Sequence, residues 1–397
     1  MVTYDIAVVG GGPAGLSAAY AAAKAGGKVI LLEKDESIAH SIRTSGVTWI
    51  DEIEKLGIGS EYYNPIKNYS FISSSNDVTI KGITPKACVL DVRKTYQHLA
   101  MLAAEAGAEI MVRSKVTNVV TTAEDRRICG LKAKTPKGET VIDCKVVIDA
   151  SGFSSSIARF LGIVKEWRRY GIGAEYECYC ENLDYETWIL MVGTKYSEAG
   201  YAWIFPVSKN KARIGVGVGR PESNSDPLQK LNDIMDKKLR PLDGIGKIQP
   251  IELHYGFIPN EGPRTPIVYD RLILVGDSAG QANPLVLEGI RYAIEYGRLA
   301  GNIAMRQNCS KEGLAEYEKI WKDKNQAMIT SALRVQKRWI GLSDEEWNRE
   351  IDILGEMSVD EFIDFIKAEF TFGKLLKFAL NHPKLATRQL LGLVTRS

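Results

Sequence analysis

Histidine and cysteine are scarce in this chain, four and six among 397 residues, and that scarcity narrows its chemistry at once. Cys88, Cys129, Cys144, Cys178, Cys180 and Cys309 are spaced neither like the ligands of a zinc site nor like the disulfide framework of a secreted domain, so no metal centre is expected. Cys178 and Cys180 come nearest to a pair, but alternation puts them on one face of a strand, where half-buried thiols are ordinary. An excess of one charge is missing too. Lys and Arg number 51 against 49 Asp and Glu, a net +2, which gives no reason to expect nucleic acid or anionic lipid as the main partner. No apolar run approaches the roughly 20 residues a membrane span needs. No basic and apolar leader precedes the first strand, so a cytoplasmic location is expected, with peripheral membrane contact as the outer limit. At 45% apolar content, 397 residues suffice for two domains and a small appendage.

What is present is concentrated near the start. A β-branched run, Ile6 to Val9, leads into Gly10-x-Gly12-x-x-Gly15, and an Ala-rich helical stretch follows from Leu16 to Ala25. A second apolar run, Val29 to Leu32, ends at Glu33, where a dinucleotide-binding βαβ unit places the acid that holds a ribose hydroxyl. Gly10 permits the tight turn, Gly12 lets backbone approach a pyrophosphate, and Gly15 lets the helix pack close to the strand. The helix N-terminus offers free N–H groups and a positive dipole end to the phosphates. A dinucleotide is the expected ligand, and the motif alone leaves NAD and FAD both open.

Farther along, Leu99, Leu102, Ala103 and Ala106 recur at helical spacing within 94–107, and strands are expected in the 110s and near 128–133. The segments 144–152 and 271–280 each read as a buried strand running into a glycine turn, the second with a helix behind it over about 289–305. Between them, 174–180, 188–192, 201–206 and 212–218 alternate aromatic and β-branched residues, the pattern of a mostly antiparallel sheet. The expected fold class is α/β, a dinucleotide-binding domain over 1–165 and 266–310 interrupted by a β-rich substrate domain over 166–265. A helical region over 311–397 completes it, with Leu375, Leu376, Phe378, Ala379 and Leu380 as an apolar face, expected to pack on the first domain.

On these residues the chain resembles the flavin-dependent oxidoreductases that include aromatic hydroxylases, flavin halogenases and geranylgeranyl reductases. Gly10 to Gly15 with Glu33 is similar to their ADP-binding fingerprint. Asp149-Ala150-Ser151-Gly152-Phe153, with Ser156 and Arg159, looks like their middle motif, with Ser151 where Asp often stands, and Gly276-Asp277 with Pro284 resembles the motif whose Asp binds the ribityl chain of FAD. Within that group, Val89-Leu90-Asp91-Val92-Arg93, the run from Gly200 to Pro206, Leu342-Ser343-Asp344 and Asn381-His382-Pro383 resemble the geranylgeranyl reductase family. The resemblance implies a Rossmann-type, glutathione-reductase-like FAD-binding domain with an inserted antiparallel substrate domain. It assigns FAD contacts to Gly10, Gly12, Pro13, Ala14, Gly15, Glu33, Lys34, Arg43, Thr44, Ser45, Arg93, Val116, Ser151, Gly152, Gly276, Asp277, Pro284, Gly289 and Ile290.

The resemblance also implies hydride delivery from reduced FAD to an isoprenoid double bond, with protonation of the second carbon; Tyr201, Tyr292 and a water are all admissible proton sources. Tyr201, Trp203 and Phe205 share one strand face and either line the substrate cavity or form plain core. His40 and His254 show no partner in the sequence. Two departures stand out. The family's Cys-Gly-Glu-Gly-like turn is replaced by Arg43-Thr44-Ser45-Gly46-Val47, and its triple-glycine loop after the third-motif Pro by Leu285-Val286-Leu287-Glu288-Gly289. Glu288 either faces the flavin, lowering its potential, or is solvated at a helix N-terminus. The glycine-rich runs at 57–59, 171–173 and 215–219 do not follow a strand and open a helix, so no second nicotinamide-binding domain is expected. Electrons would come from NAD(P)H bound without its own domain, or from a reduced carrier protein of the ferredoxin type. The leading reading is reduction of a prenyl lipid, the alternative a monooxygenase or dehydrogenase acting on a smaller molecule, and the third a non-catalytic flavoprotein.

Overall fold

The computed structural model describes residues 3–124, 127–306 and 308–383. Its first sheet has a parallel core in the order Leu272–Leu274, Gly138–Asp149, Thr3–Val9, Val29–Leu32, Glu109–Met111, with Lys115–Thr121 and Ile128–Thr135 joined antiparallel to Gly138–Asp149. Residues 6–9 of Thr3–Val9 and all of Val29–Leu32 are apolar and buried, as expected of parallel strands covered on their faces. One covering pair is unusually close. Pro13–Lys24 and Ile290–Ala304 meet through small residues, and a Cβ added at Gly297 or Gly301 would lie 2.4 Å from the Ala14 carbonyl oxygen or 2.3 Å from that of Ala18.

The second sheet runs Ile248–Pro259, Tyr170–Cys180, Lys211–Arg220, Tyr201–Ser208, Thr187–Met191, Asn68–Ile72, Asp77–Lys81. All its pairings are antiparallel except that of Thr187–Met191 with Asn68–Ile72. Its last two strands come from 68–81 rather than from 166–265, a long-range pairing that no local periodicity announces. A small sheet of Val47–Trp49, Ala87–Leu90 and Tyr63–Ile66 bridges the two.

Helices Lys311–Ile340, Asp344–Gly355, Val359–Ile366 and Phe372–Asn381 follow, and residues 384–397 of the expected helical region lie outside the described residues. The helices do not all pack on the first domain. Trp347, Ile351, Leu354, Phe362, Ile363 and Ile366 share a core with Trp49, Trp188, Trp203 and Phe205, on the face of the second sheet. Of the anticipated apolar face, Phe378 joins that core, whereas Leu375, Leu376 and Leu380 stay exposed. Among the described residues no helix is long and apolar enough to cross a membrane.

Candidate active site

The sequence motifs converge because each follows the carboxyl end of a strand in the first sheet. Gly10 follows Thr3–Val9, Glu33 follows Val29–Leu32, Ser151 follows Gly138–Asp149 and Gly276 follows Leu272–Leu274, all neighbouring strands. Ligands of open α/β sheets bind at that edge. A cavity of about 830 Å³ opens there and extends between the two sheets. Gly10, Gly12, Pro13, Ala14, Glu33, Lys34, Arg43, Thr44, Ser45, Val116, Ser151, Gly152, Gly276, Asp277, Pro284, Gly289 and Ile290 line it. Gly15 lies behind the lining, where an added Cβ would stand 1.9 Å from the Gly10 carbonyl oxygen. Arg93 is also off the lining. Its guanidinium donates to the Ala39 carbonyl at 2.6 Å and pairs with Glu252 at 2.8 Å.

The nucleotide end fits FAD. Helix Pro13–Lys24 has Gly12 at its N-cap and no capping side chain, so its first N–H groups are free to meet a pyrophosphate. Nothing lies within 4 Å of a Cβ built on Gly12. Glu33 receives the backbone N–H of Gly11 at 2.6 Å and that of Asp35 at 2.8 Å, tying the two turns together. Asp149, wholly buried, receives the Ser151 hydroxyl at 2.5 Å and the N–H groups of Ile157 and Ala158. Burial nevertheless holds its carboxyl above the usual range. Ser151 accepts from the Ser156 N–H, so at the position where the family often has Asp it pins the turn.

Asp277 is the complementary case. Among the described residues no group hydrogen-bonds to its carboxylate, and burial pushes its pKa up to about 6. A cavity-facing acid without a protein partner is what a polyol chain would satisfy.

The 285–289 loop places a side chain in a left-handed position. Leu287 adopts φ +56°, a conformation that favours glycine, and its side chain reaches down to Gly171 of the second sheet. Glu288 is not solvated. Its side chain is 3% exposed, accepts from Thr48 Oγ1 at 3.1 Å and pairs with Arg291 Nε at 2.8 Å. Arg291 also pairs with Glu52, which in turn binds Lys367. Burial alone would lower the Arg291 pKa, but Glu288, Tyr292 and Glu52 raise it, so the arginine stays charged.

Beyond this loop the lining turns aromatic. Trp49, Phe71, Trp188, Trp203, Phe205, Trp339 and Trp347 surround the far lobe, between the second sheet and the C-terminal helices. Trp203 and Phe205 stack at 5.9 Å and belong both to the cavity lining and to the aromatic core. Tyr201 donates its hydroxyl hydrogen to the Val286 carbonyl at 2.9 Å, and burial holds its pKa high. The Tyr292 hydroxyl accepts from Arg291 at 2.6 Å, off the cavity lining. Neither tyrosine presents a free proton to the lobe.

His254 has the partner its sequence context hides. Its Nδ1 lies 2.9 Å from Glu175 Oε1, and both residues line the cavity. His40 is exposed. All six cysteines are free, and burial raises Cys178 to about 12 and Cys180 to about 11, which leaves them inert as thiolates at neutral pH.

An extended nucleotide groove joined to an aromatic-lined lobe defines a flavoprotein oxidoreductase. Comparison with known proteins agrees: residues 5–182 match the FAD dependent oxidoreductase family and 170–258 the geranylgeranyl reductase catalytic domain. A digeranylgeranylglycerophospholipid reductase of Methanocaldococcus jannaschii is 33% identical over 89% of this chain and 91% of its own. Digeranylgeranylglycerophospholipid reductase 2 of Methanococcoides burtonii is 31% identical over 95% of each. Among solved structures, a geranylgeranyl bacteriochlorophyll reductase-like protein of Thermoplasma acidophilum superposes with a TM-score of 0.85 at 25% identity, covering 98% of this chain and 99% of that one. The chain belongs to the geranylgeranyl reductase family of FAD-dependent oxidoreductases.

Proposed function

We propose that this protein reduces the geranylgeranyl double bonds of a prenyl glycerophospholipid. The aromatic lobe carries this reading, since it continues the FAD groove as an apolar chamber rather than as a polar pocket for a small acid. Bound FAD supplies a hydride equivalent to one alkene carbon. The residues hold the rest in place. Gly12 and the first turn of Pro13–Lys24 would take the pyrophosphate, Asp277 the ribityl hydroxyls, and the 285–289 loop the ring. An isolated alkene is barely polarised, so water must be kept out, and the indoles and phenyl rings of the lobe do that.

The relatives' names support the lipid class, and so does the chain's outer surface. Leu375, Leu376 and Leu380 are exposed on one short helix that also carries Lys377, an arrangement suited to peripheral contact with a bilayer holding the substrate. Electrons would come from a ferredoxin-type carrier or from NAD(P)H bound without its own domain. Of the glycine-rich runs, 171–173 and 215–219 lie inside strands of the second sheet, which supports that reading.

The test is to incubate the dithionite-reduced holoenzyme with a digeranylgeranylglycerophospholipid and weigh the extracted lipid. A gain of one H₂ per saturated double bond is expected. An unchanged lipid, with turnover of a small aromatic acid and oxygen instead, would move the protein to the monooxygenases.

A further inference from the structure

The second sheet brings an acid and a base together that are far apart in the chain. Strand register places Trp203, Gly215, Glu175 and His254 in one row across four neighbouring strands, all on the cavity face. Gly215 lets the row close. With no side chain there, the Trp203 indole lies over it and its Nε1 donates to Glu175 Oε2 at 3.0 Å. Glu175 Oε1 meets His254 Nδ1 at 2.9 Å, and both side chains are at least 95% buried. His254 Nε2 has no hydrogen-bond partner, and Glu252 Oε2 lies 3.6 Å away. Glu252 is 39% exposed and reaches solvent. A titratable chain therefore runs from the surface through His254 to a carboxyl group on the cavity wall.

We propose that Glu252, His254 and Glu175 are the path by which the proton for double-bond reduction enters the cavity, with Glu175 as its donor. This rests on the prenyl-reductase reading. With FAD bound, a hydride carrying its electron pair would form one new C–H bond, and the π-bond electrons would take the proton of Glu175 to form the other. The Glu175 carboxylate then takes a proton from His254, and His254 is recharged from solvent by way of Glu252.

The surrounding charges suit the task. Arg213 sits 3.9 Å from Glu175 and 3.2 Å from Glu177 and donates to the carbonyls of Ser45 and Leu90, while the Trp203 N–H holds Glu175 Oε2, so the carboxyl group is fixed in place on the cavity wall. Lys211 balances Glu177, and Arg93 balances Glu252. Burial alone would raise Glu252, but His254 and Arg93 hold it below the usual carboxylate range, so it is an ionised acceptor at the surface end. The other candidates in the lobe are engaged, Tyr201 by the Val286 carbonyl and Glu288 by Arg291 and Thr48.

The test follows reoxidation of the dithionite-reduced, FAD-loaded enzyme by a geranylgeranylated phospholipid, without oxygen, in H₂O and D₂O and as a function of pH. Glu175→Gln keeps an acceptor for Trp203 and removes the proton. It is expected to slow reoxidation about a hundredfold or more, with an enlarged solvent isotope effect, while FAD affinity and the visible spectrum stay wild-type. His254→Asn is expected to slow the step and flatten its pH profile, and it decides the matter if Glu175→Gln does not fold. Variants that match wild type in rate, isotope effect and pH profile would overturn the relay. If wild-type flavin is itself not reoxidised by the lipid, the prenyl-reductase reading fails instead.

Discussion

Gly215→Ala isolates the packing on which the active-site wall depends. An added Cβ would stand 2.4 Å from Trp203 Cζ2, 2.5 Å from Cε2 and 2.6 Å from Glu175 Cβ, where ordinary contact begins at 3.4 Å. Glu175 is anchored on a central strand, so the indole must lift by about 1 Å in a close-packed wall. Its 3.0 Å bond to Glu175 then breaks. Overpacking costs about 1–3 kcal/mol and the buried unpaired N–H a similar amount, together about 3 kcal/mol. Gly244→Ala is the control, because nothing lies within 4 Å of its Cβ. There the change should be neutral or stabilising by up to about 1 kcal/mol. Thermal unfolding followed by circular dichroism at matched FAD occupancy should place the Gly215→Ala midpoint about 6 °C or more below wild type. If the two variants unfold together, Trp203 does not lie on Gly215 and the row across the sheet is wrongly drawn.

Asp277→Asn should lower FAD affinity about tenfold or more, measured by fluorescence titration, because the hydroxyl donors lose a charged acceptor. Burial raises Asp277 from 3.8 to about 6, so its share of FAD-free stability is complete below the lower value and lost as pH rises through the upper. Asp277→Asn should remove that step from the pH dependence of urea unfolding. Glu288→Gln leaves Arg291 with Glu52 alone and should cost about 2 kcal/mol, below the usual loss for a broken buried pair because one partner remains. It should also raise the flavin midpoint potential in a dye-coupled titration, since one negative charge is removed beside the 285–289 loop. Arg93→Ala should hasten FAD loss on gel filtration by freeing the Ala39 and His40 carbonyls; retention equal to wild type would show that this anchoring does not matter.

The first sheet was legible because its signals are local. Three of its strands run into a glycine turn and Val29–Leu32 into the acid Glu33, and these signals fall in chain order, so Gly10, Glu33, Ser151 and Gly276 could be read one by one. Glu175 and His254 could not. They lie 79 positions apart and meet only through antiparallel register. A signal did exist in the alternate glycines Gly171, Gly173, Gly215 and Gly217. Read at the strand period, they describe a flat sheet face on which a large ring can lie; read as nucleotide loops, they describe nothing. The sequence left Glu288 open between flavin-facing and solvated for a similar reason, since its partner Thr48 comes from a strand 240 positions earlier. Asn68–Ile72 and Asp77–Lys81 resemble any short hairpin until Thr187–Met191 supplies the parallel edge they extend.

The most direct measurement is anaerobic. The yellow protein is reduced with dithionite, mixed with a geranylgeranylated phospholipid, and its flavin absorbance followed in time while the lipid is sampled. Return of the oxidised band in step with loss of lipid double bonds is the predicted result. A flavin that stays reduced until oxygen is admitted, with the lipid unsaturated throughout, would contradict a prenyl-lipid reductase.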